Sequence, residues 1–248
     1  MIRMILTDLD HTLLRQDGGI SDETLMTIKK CREKGVLFAV ATARFWLRAE
    51  KYIRLLEPDY AITADGALIH AHGEFIYSRE FTQAEASMIA ERIFAAAPDT
   101  EITAVLGKEL YVKRRGDTAP LPAGINKLVA VLPDETAAER IAHEAGCSLQ
   151  GYRGEDLYAF MPKGAGKVDA IRALAELSGI PLEDFAAFGD DSNDIGILKM
   201  CGTGVAVANA IPEALEAADE VTLSNDDDGV AVWLRKKLLG GEQAPDEP

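Results

Sequence analysis

A chain of 248 residues has room for one large domain or two smaller ones, and 48% hydrophobic residues are ample for a core. A formal net charge of −15 is the reverse of the balance nucleic-acid binders carry, and the longest apolar runs are too short to span a bilayer. Cys31, Cys147 and Cys201 are far apart and odd in number, so they fit neither a disulfide framework nor a zinc spacing, and a reducing cytosol follows.

The run Met4-Ile5-Leu6-Thr7 reads as a buried strand that stops at Asp8-Leu9-Asp10. It begins too close to Met1 to read as a signal peptide. In extended backbone Asp8 and Asp10 point to the same side. Two anions this close repel, so a cation or a shared proton is expected, and carboxylates suit a hard ion such as Mg²⁺. Ser21 to Lys34 reads as a helix that Ser21 caps and Gly35 ends. Val36 to Ala41 is a continuous apolar run, the pattern of a strand buried on both faces, and it ends at Thr42-Ala43-Arg44. A helix over 45–56, a strand over 60–63 and a hairpin around His72-Gly73 follow.

The pattern changes near residue 80. A helix over 82–97 precedes a hairpin, 101–106 and 109–115, and then a loop over 116–124. A strand over 126–132, a helix over 133–145 and a second hairpin, 148–152 and 156–161, come next. Helix and hairpin, twice, is an α+β layout with an antiparallel sheet. Strand–helix alternation resumes at 162. A helix over 164–178 leads to the strand Phe185–Phe188, which stops at Gly189-Asp190-Asp191-Ser192-Asn193-Asp194. Strands over 203–207 and 221–223 and helices over 212–218 and 230–239 complete the pattern. The expected division is a discontinuous α/β core, 1–79 and 162–239, with an α+β insert at 80–161 and a disordered tail over 240–248.

Asp8 and Asp10, Thr42, and Asp190, Asn193 and Asp194 each sit just past an apolar strand, and Lys167 sits at the start of a helix. In a parallel sheet, strand ends gather along one edge. Carboxylates, a hydroxyl, an amide and a lysine are the inventory for phosphoryl transfer, where positioning and charge neutralisation supply most of the catalysis. A chain this acidic needs such a local positive centre to attract an anion.

Asp8-Leu9-Asp10-His11-Thr12-Leu13 resembles motif I of the haloacid dehalogenase superfamily. Ala41-Thr42-Ala43-Arg44 is similar to motif II, Lys167 within Lys163-Gly164-Ala165-Gly166-Lys167 to motif III, and Gly189 to Asp194 to motif IV. The order of the motifs, the large insert and the stretch Ser224 to Ala231 resemble the Cof-type branch of Mg²⁺-dependent phosphatases. The resemblance implies a Rossmann-like core with a parallel sheet and an inserted α+β cap. It implies that Asp8 is the nucleophile, forming an aspartyl-phosphate, and that Asp10 is the general acid and base. Thr42, Ala43, Lys167 and Asn193 would bind phosphate, and Asp8, Asp10 (through its carbonyl), Asp190 and Asp194 would hold Mg²⁺. The substrate implied is a small phosphorylated metabolite, a sugar phosphate or small organic acid phosphate, in a cytoplasmic enzyme with no nucleic-acid or membrane partner. Monomer and dimer both stay open. A phosphomutase on the same core, a phospho-acceptor module and a non-catalytic metabolite sensor are the rival readings.

Three positions depart from the family pattern. His11 and Ala43 stand where glycine is usual, and Asp65, before Gly66-Ala67, where asparagine is frequent. His11 is expected to alter backbone freedom. Asp65 is expected to face the cap and add negative charge to substrate choice. Asn193 and Asp194 can also cap the following helix. Asn209 is either a support for the metal loop or a turn residue, and Asp226-Asp227-Asp228 either a solvated loop or a cation site. Tyr111, Lys113, Arg114 and Arg115 are candidate substrate contacts. His70, His72 and His143 read as surface or turn residues.

Overall fold

The computed structural model describes residues 1–152 and 154–240. The tail expected to be disordered falls, from 241 on, outside the described residues. Along the chain run β1 (Met4–Thr7), α1 (Asp22–Glu33), β2 (Leu37–Ala41), α2 (Trp46–Leu56), β3 (Tyr60–Thr63), β4 (Leu68–Ala71), β5 (Glu74–Ser78), α3 (Gln83–Ala96), β6 (Ile102–Leu106) and β7 (Glu109–Lys113). Then come β8 (Lys127–Val131), α4 (Glu135–Ala145), β9 (Ser148–Gly151), β10 (Leu157–Met161), α5 (Lys167–Ser178), β11 (Phe185–Gly189), α6 (Ile195–Met200), β12 (Thr203–Ala206), α7 (Pro212–Ala217), β13 (Glu220–Val221) and α8 (Gly229–Leu238). The residues group into two compact units. The first comprises Met1–Thr42, Tyr52–Ala61 and the chain from Ile171; the second comprises Ala43–Lys51 and Ile62–Ala170.

In the first unit the strands lie in the order β13-β12-β11-β1-β2-β3, with parallel pairing from β13 through β2. Every residue of β1 and β11 is buried, which is why these segments read as unbroken apolar runs. Helix α1 starts where the Ser21 side chain accepts the Thr24 amide, and Gly35 follows it at φ 84°. Trp233 of α8 packs edge-on against Phe188 of β11, ring centroids 5.2 Å apart.

The second unit holds an antiparallel sheet in the order β7-β6-β8-β10-β9 and the hairpin β4–β5. Helices α3 and α4 pack on each other, and their apolar faces share a core with Ile102, Leu128 and Phe160. Thr82 and Glu85 form a reciprocal cap at the start of α3, and Asp134 caps α4. Asn126 stitches the loop ahead of β8: its Oδ1 accepts the Gly107 amide at 2.8 Å, and its Nδ2 donates to the Arg79 carbonyl at 2.8 Å. Mixed α/β architecture with a parallel sheet and an added antiparallel sheet is what the sequence implies. The helix expected from 164 starts at Lys167 instead, because the Ala165 amide donates to Pro162 and Gly164 sits at φ 75°, which makes 162–166 a turn.

Candidate active site

Strand register lines up the first unit's site residues. Thr7 pairs with Phe188 on one side and with Val40 on the other. Asp8, Thr42 and Asp190 therefore leave the carboxyl ends of three adjacent parallel strands within a residue or two of each other's level. This is where open α/β sheets hold ligands. The Asp8 amide donates to the Phe188 carbonyl at 3.1 Å, so pairing continues into the motif. Beyond it, the chain makes an irregular turn over Leu9–Leu13 with His11 at φ 57°. The left-handed conformation accounts for the glycine usual at this position, and it marks strain of the kind that clusters at functional loops.

Asp8, Asp190 and Asp194 are buried, and each offers a carboxylate oxygen within 4.8 Å of the others'. The expected cap role of Asp194 takes another form. It is the residue before α6, but its side chain makes no cap bond. Its Oδ2 instead accepts the amides of Asp190 (3.1 Å) and Asp191 (3.3 Å), folding the motif back on itself. Gly189 makes room for this, since a Cβ there would lie 2.4 Å from that of Asp194. Thr12 Oγ1 donates to Asp190 Oδ1 at 2.6 Å, which orients a second member of the cluster. Three buried carboxylates this close repel strongly, and a cation offsets the repulsion. Oxygen donors alone suit a hard divalent ion. Asp10 is half-buried, Thr42 is fully buried, and Asn193 keeps a buried Oδ1 with no protein partner.

Asn209, left open between two roles in the sequence, ties the motif loop down. Its Nδ2 donates to the His11 carbonyl at 2.7 Å, and its Oδ1 accepts the Asn225 amide at 2.9 Å. Asn225 Nδ2 in turn donates to the Leu14 carbonyl at 2.7 Å. The neighbouring acidic run is a turn before α8 with Asp226 and Asp227 exposed, as expected of a solvated loop, and it is tied to the core. Asp228 pairs with Arg15 (Nε to Oδ1 3.2 Å) and accepts from Thr24 Oγ1 at 3.2 Å, while Asp226 accepts the Gln16 amide. No sequence signal announces these partners, because they lie more than two hundred residues away along the chain.

Ala43 and Lys167 belong to the second unit. Lys167 is buried at 4% exposure and opens α5, as expected. Asp65 meets residues of the insert, as expected. It lies buried, and its charge is met by the Lys127 ammonium and by Tyr152 Oη, which donates at 2.8 Å. Lys127 offsets the extra negative charge, while Asp65 Oδ1 stays buried without a protein partner. Lys127 and Tyr152 were not singled out in the sequence, where a lysine opening an apolar strand looks like an edge charge. The proposed hairpin contacts are otherwise engaged: Tyr111 with Glu109, Lys113 with the carbonyls of Asp117 and Ala119, Arg114 with Glu101. Arg115 is exposed. His70 is half-buried in β4, its ring 4.4 Å from that of Trp46 and tilted 51° to it, with Phe75 at 5.7 Å. Burial pushes its pKa below the ordinary value, and nearby Lys108 adds to this. Burial also raises the three thiols, to about 11 for Cys31 and Cys147 and about 12 for Cys201, so none is a reactive thiolate at neutral pH.

A family model for haloacid dehalogenase-like hydrolases matches residues 5–122 and 124–234. The chain belongs to that family. Its likeness runs to the Cof-type members and extends over most of each chain. A 5-amino-6-(5-phospho-D-ribitylamino)uracil phosphatase of Bacillus subtilis is 26% identical over 98% of this chain and 100% of its own. An HMP-PP phosphatase of Cronobacter sakazakii is 27% identical over 87% of each chain. Among solved structures, a haloalkanoate-superfamily phosphatase from Bacteroides thetaiotaomicron aligns with a TM-score of 0.82 and 23% identity, covering 95% of both chains. A subclass IIB sugar phosphatase aligns with a TM-score of 0.78 and 21% identity over 94% of this chain and 98% of that one. At these identities the structures speak for the fold, and the fold is that of the haloacid dehalogenase family with a cap. The chain is thus a haloacid dehalogenase-like hydrolase, and the relatives it resembles are named phosphatases.

Proposed function

We propose that this haloacid dehalogenase-type phosphatase is Mg²⁺-dependent and hydrolyses a small phosphorylated metabolite through an aspartyl-phosphate on Asp8. The observation that carries the reading is the buried cluster of Asp8, Asp190 and Asp194 at the carboxyl ends of β1 and β11. Asp8, Asp190, Asp194 and the Asp10 carbonyl would hold the ion. When bound, the ion neutralises charge between the carboxylates and an incoming phosphate.

Asp8 attacks phosphorus, forming an Oδ–P bond as the bond from phosphorus to the leaving oxygen breaks. Asp10 donates its proton to that leaving alkoxide. It then takes a proton from water, which attacks phosphorus and releases Asp8 and inorganic phosphate. Thr42, the Ala43 amide and Asn193 are the groups for the phosphoryl oxygens, and Lys167 is the positive charge for the phosphate. The orphaned Asn193 Oδ1 accepts a hydrogen bond from a protonated phosphate oxygen or from water. Residues 80–161 are the cap and residues 1–79 with 162–239 the catalytic core. The leaving group is a sugar or small organic acid, by analogy with the phosphatases and the sugar phosphatase that the chain resembles. No described helix is long and apolar enough to cross a membrane, and with three free cysteines the reading places the enzyme in the cytoplasm.

A panel of phosphorylated metabolites, assayed for both free phosphate and rearranged phosphoester, tests the reaction class. Hydrolysis predicts phosphate equal to substrate consumed. A rearranged phosphoester without phosphate release would replace the phosphatase reading with a mutase, and binding without turnover would replace it with a sensor.

A further inference from the structure

The second unit buries an ion pair that the proposed reaction does not use. The Lys127 and Asp65 side chains are 3% and 5% exposed. Lys127 Nζ donates to Asp65 Oδ2, to Tyr152 Oη and to the Ala43 carbonyl, the last at 3.0 Å. These use all three donors of an ammonium group. Tyr152 Oη closes the ring by donating to Asp65 Oδ2 at 2.8 Å. Burial, with Asp65 beside it, holds the Tyr152 phenol far above its ordinary pKa, so it stays a donor. Burying a charged pair costs desolvation that an apolar pair would not, so its presence asks for a role beyond stability.

The loop it anchors is strained. Ala64 and Asp65 sit at φ 52° and 55°, a region costly for residues with a Cβ. The same loop touches two other segments. The Ala64 amide donates to the Arg44 carbonyl at 2.8 Å. Gly66, at φ 98°, lies so close to the turn ahead of α5 that a Cβ there would be 2.3 Å from the Gly166 carbonyl oxygen and 2.8 Å from the Lys167 amide nitrogen. Those two segments carry Ala43 and Lys167. Lys127 therefore fixes one of them directly, through the Ala43 carbonyl, and the other through the Asp65–Gly66 loop.

We infer that Asp65, Lys127 and Tyr152 are positioning residues that hold the Ala43–Arg44 and Gly166–Lys167 backbone in the arrangement phosphoryl transfer needs. The inference rests on the phosphate-binding roles proposed for Ala43 and Lys167. A pure stabilising role predicts that removing the charges leaves turnover intact in folded protein. A direct contact with the leaving group predicts loss for metabolites but not for a generic phosphomonoester.

The test is the double variant Asp65→Asn/Lys127→Met. Asparagine tolerates the left-handed backbone and still accepts from Tyr152, and neutralising both partners leaves no buried charge unpaired. Three readouts are taken: the thermal transition, kcat and KM for p-nitrophenyl phosphate, and amide exchange by segment. The expected result is a preserved transition and a fall in kcat of about tenfold to a hundredfold with a smaller change in KM. Exchange should quicken over 43–46 and 163–168 and hold over 8–14 and 188–195. Unchanged kcat, or unchanged exchange in 43–46 and 163–168, overturns the inference. Tyr152→Phe, which deletes a single hydroxyl, should show the same pattern more weakly, and it decides the matter if the double variant does not fold. A wild type that releases no phosphate from p-nitrophenyl phosphate or any metabolite sinks the phosphatase reading instead, and the exchange pattern then judges the triad by itself.

Discussion

The Thr12 hydroxyl holds Asp190 Oδ1 at 2.6 Å, and that bond aims one carboxylate of the cluster. Groups that orient ligands from behind typically change metal affinity or activity about tenfold to a hundredfold when removed. Thr12→Val, which keeps the shape and deletes the donor, should weaken Mg²⁺ binding by that factor in a calorimetric titration. Wild-type affinity in the variant would mean the bond merely satisfies a buried hydroxyl. His70 allows a second residue-level prediction. Its folded pKa lies below the ordinary 6.5, chiefly through burial. The unfolded chain then binds the proton more readily, so the His70 contribution to stability is complete above about pH 6.5 and fades as pH falls through and below that value. A side-chain NMR titration of His70 should give a midpoint under 6.5, and a midpoint at or above it contradicts the packed, neutral ring. At this scale the sequence was partly legible. The acid pair, Thr42 and Lys167 stood out because short motifs carry them. Lys127 and Tyr152 did not, because nothing local distinguishes a buried, paired lysine from an exposed one.

Elements position these residues through backbone contacts that leave no space for side chains. Gly66 is the sharpest case, with positive φ and a neighbouring backbone closer than any real Cβ tolerates. Gly66→Ala should destabilise the protein by about 2–4 kcal/mol, combining overpacking with left-handed strain. Its thermal transition should fall by several degrees, and an unchanged transition would show that the loop relaxes freely. Elements were the most legible part of the sequence. Continuous apolar runs marked β1, β2 and β11, and Ser21, Thr82 and Pro212 marked helix starts. Boundaries slipped where a local turn competes with the helix, as at 162–166, where Gly164 at positive φ and the Ala165 amide bonded to the Pro162 carbonyl make a turn of what reads as the first turn of a helix.

Across the whole molecule, a net charge of −15 sits uneasily with an anionic substrate unless the positive charge is local. The metal site and Lys167 are the proposed sources. Strand order was not readable from the sequence alone, since pairing of β1 with both β11 and β2 joins segments far apart along the chain. The family motifs supplied that arrangement in advance, and the register of the parallel sheet explains it physically: Asp8, Thr42 and Asp190 share one edge because their strands end together. The contacts that brace the loops, Asn209 with His11 and Asp228 with Arg15, emerge only from the folded chain.

The most direct test of the central claim is phosphate release by wild type and Asp8→Asn, each with Mg²⁺ and after chelation. Wild type should turn over with metal, lose activity on chelation and recover when Mg²⁺ is restored, and the variant should show only background release. Wild-type turnover by Asp8→Asn, or release indifferent to chelation, would contradict it.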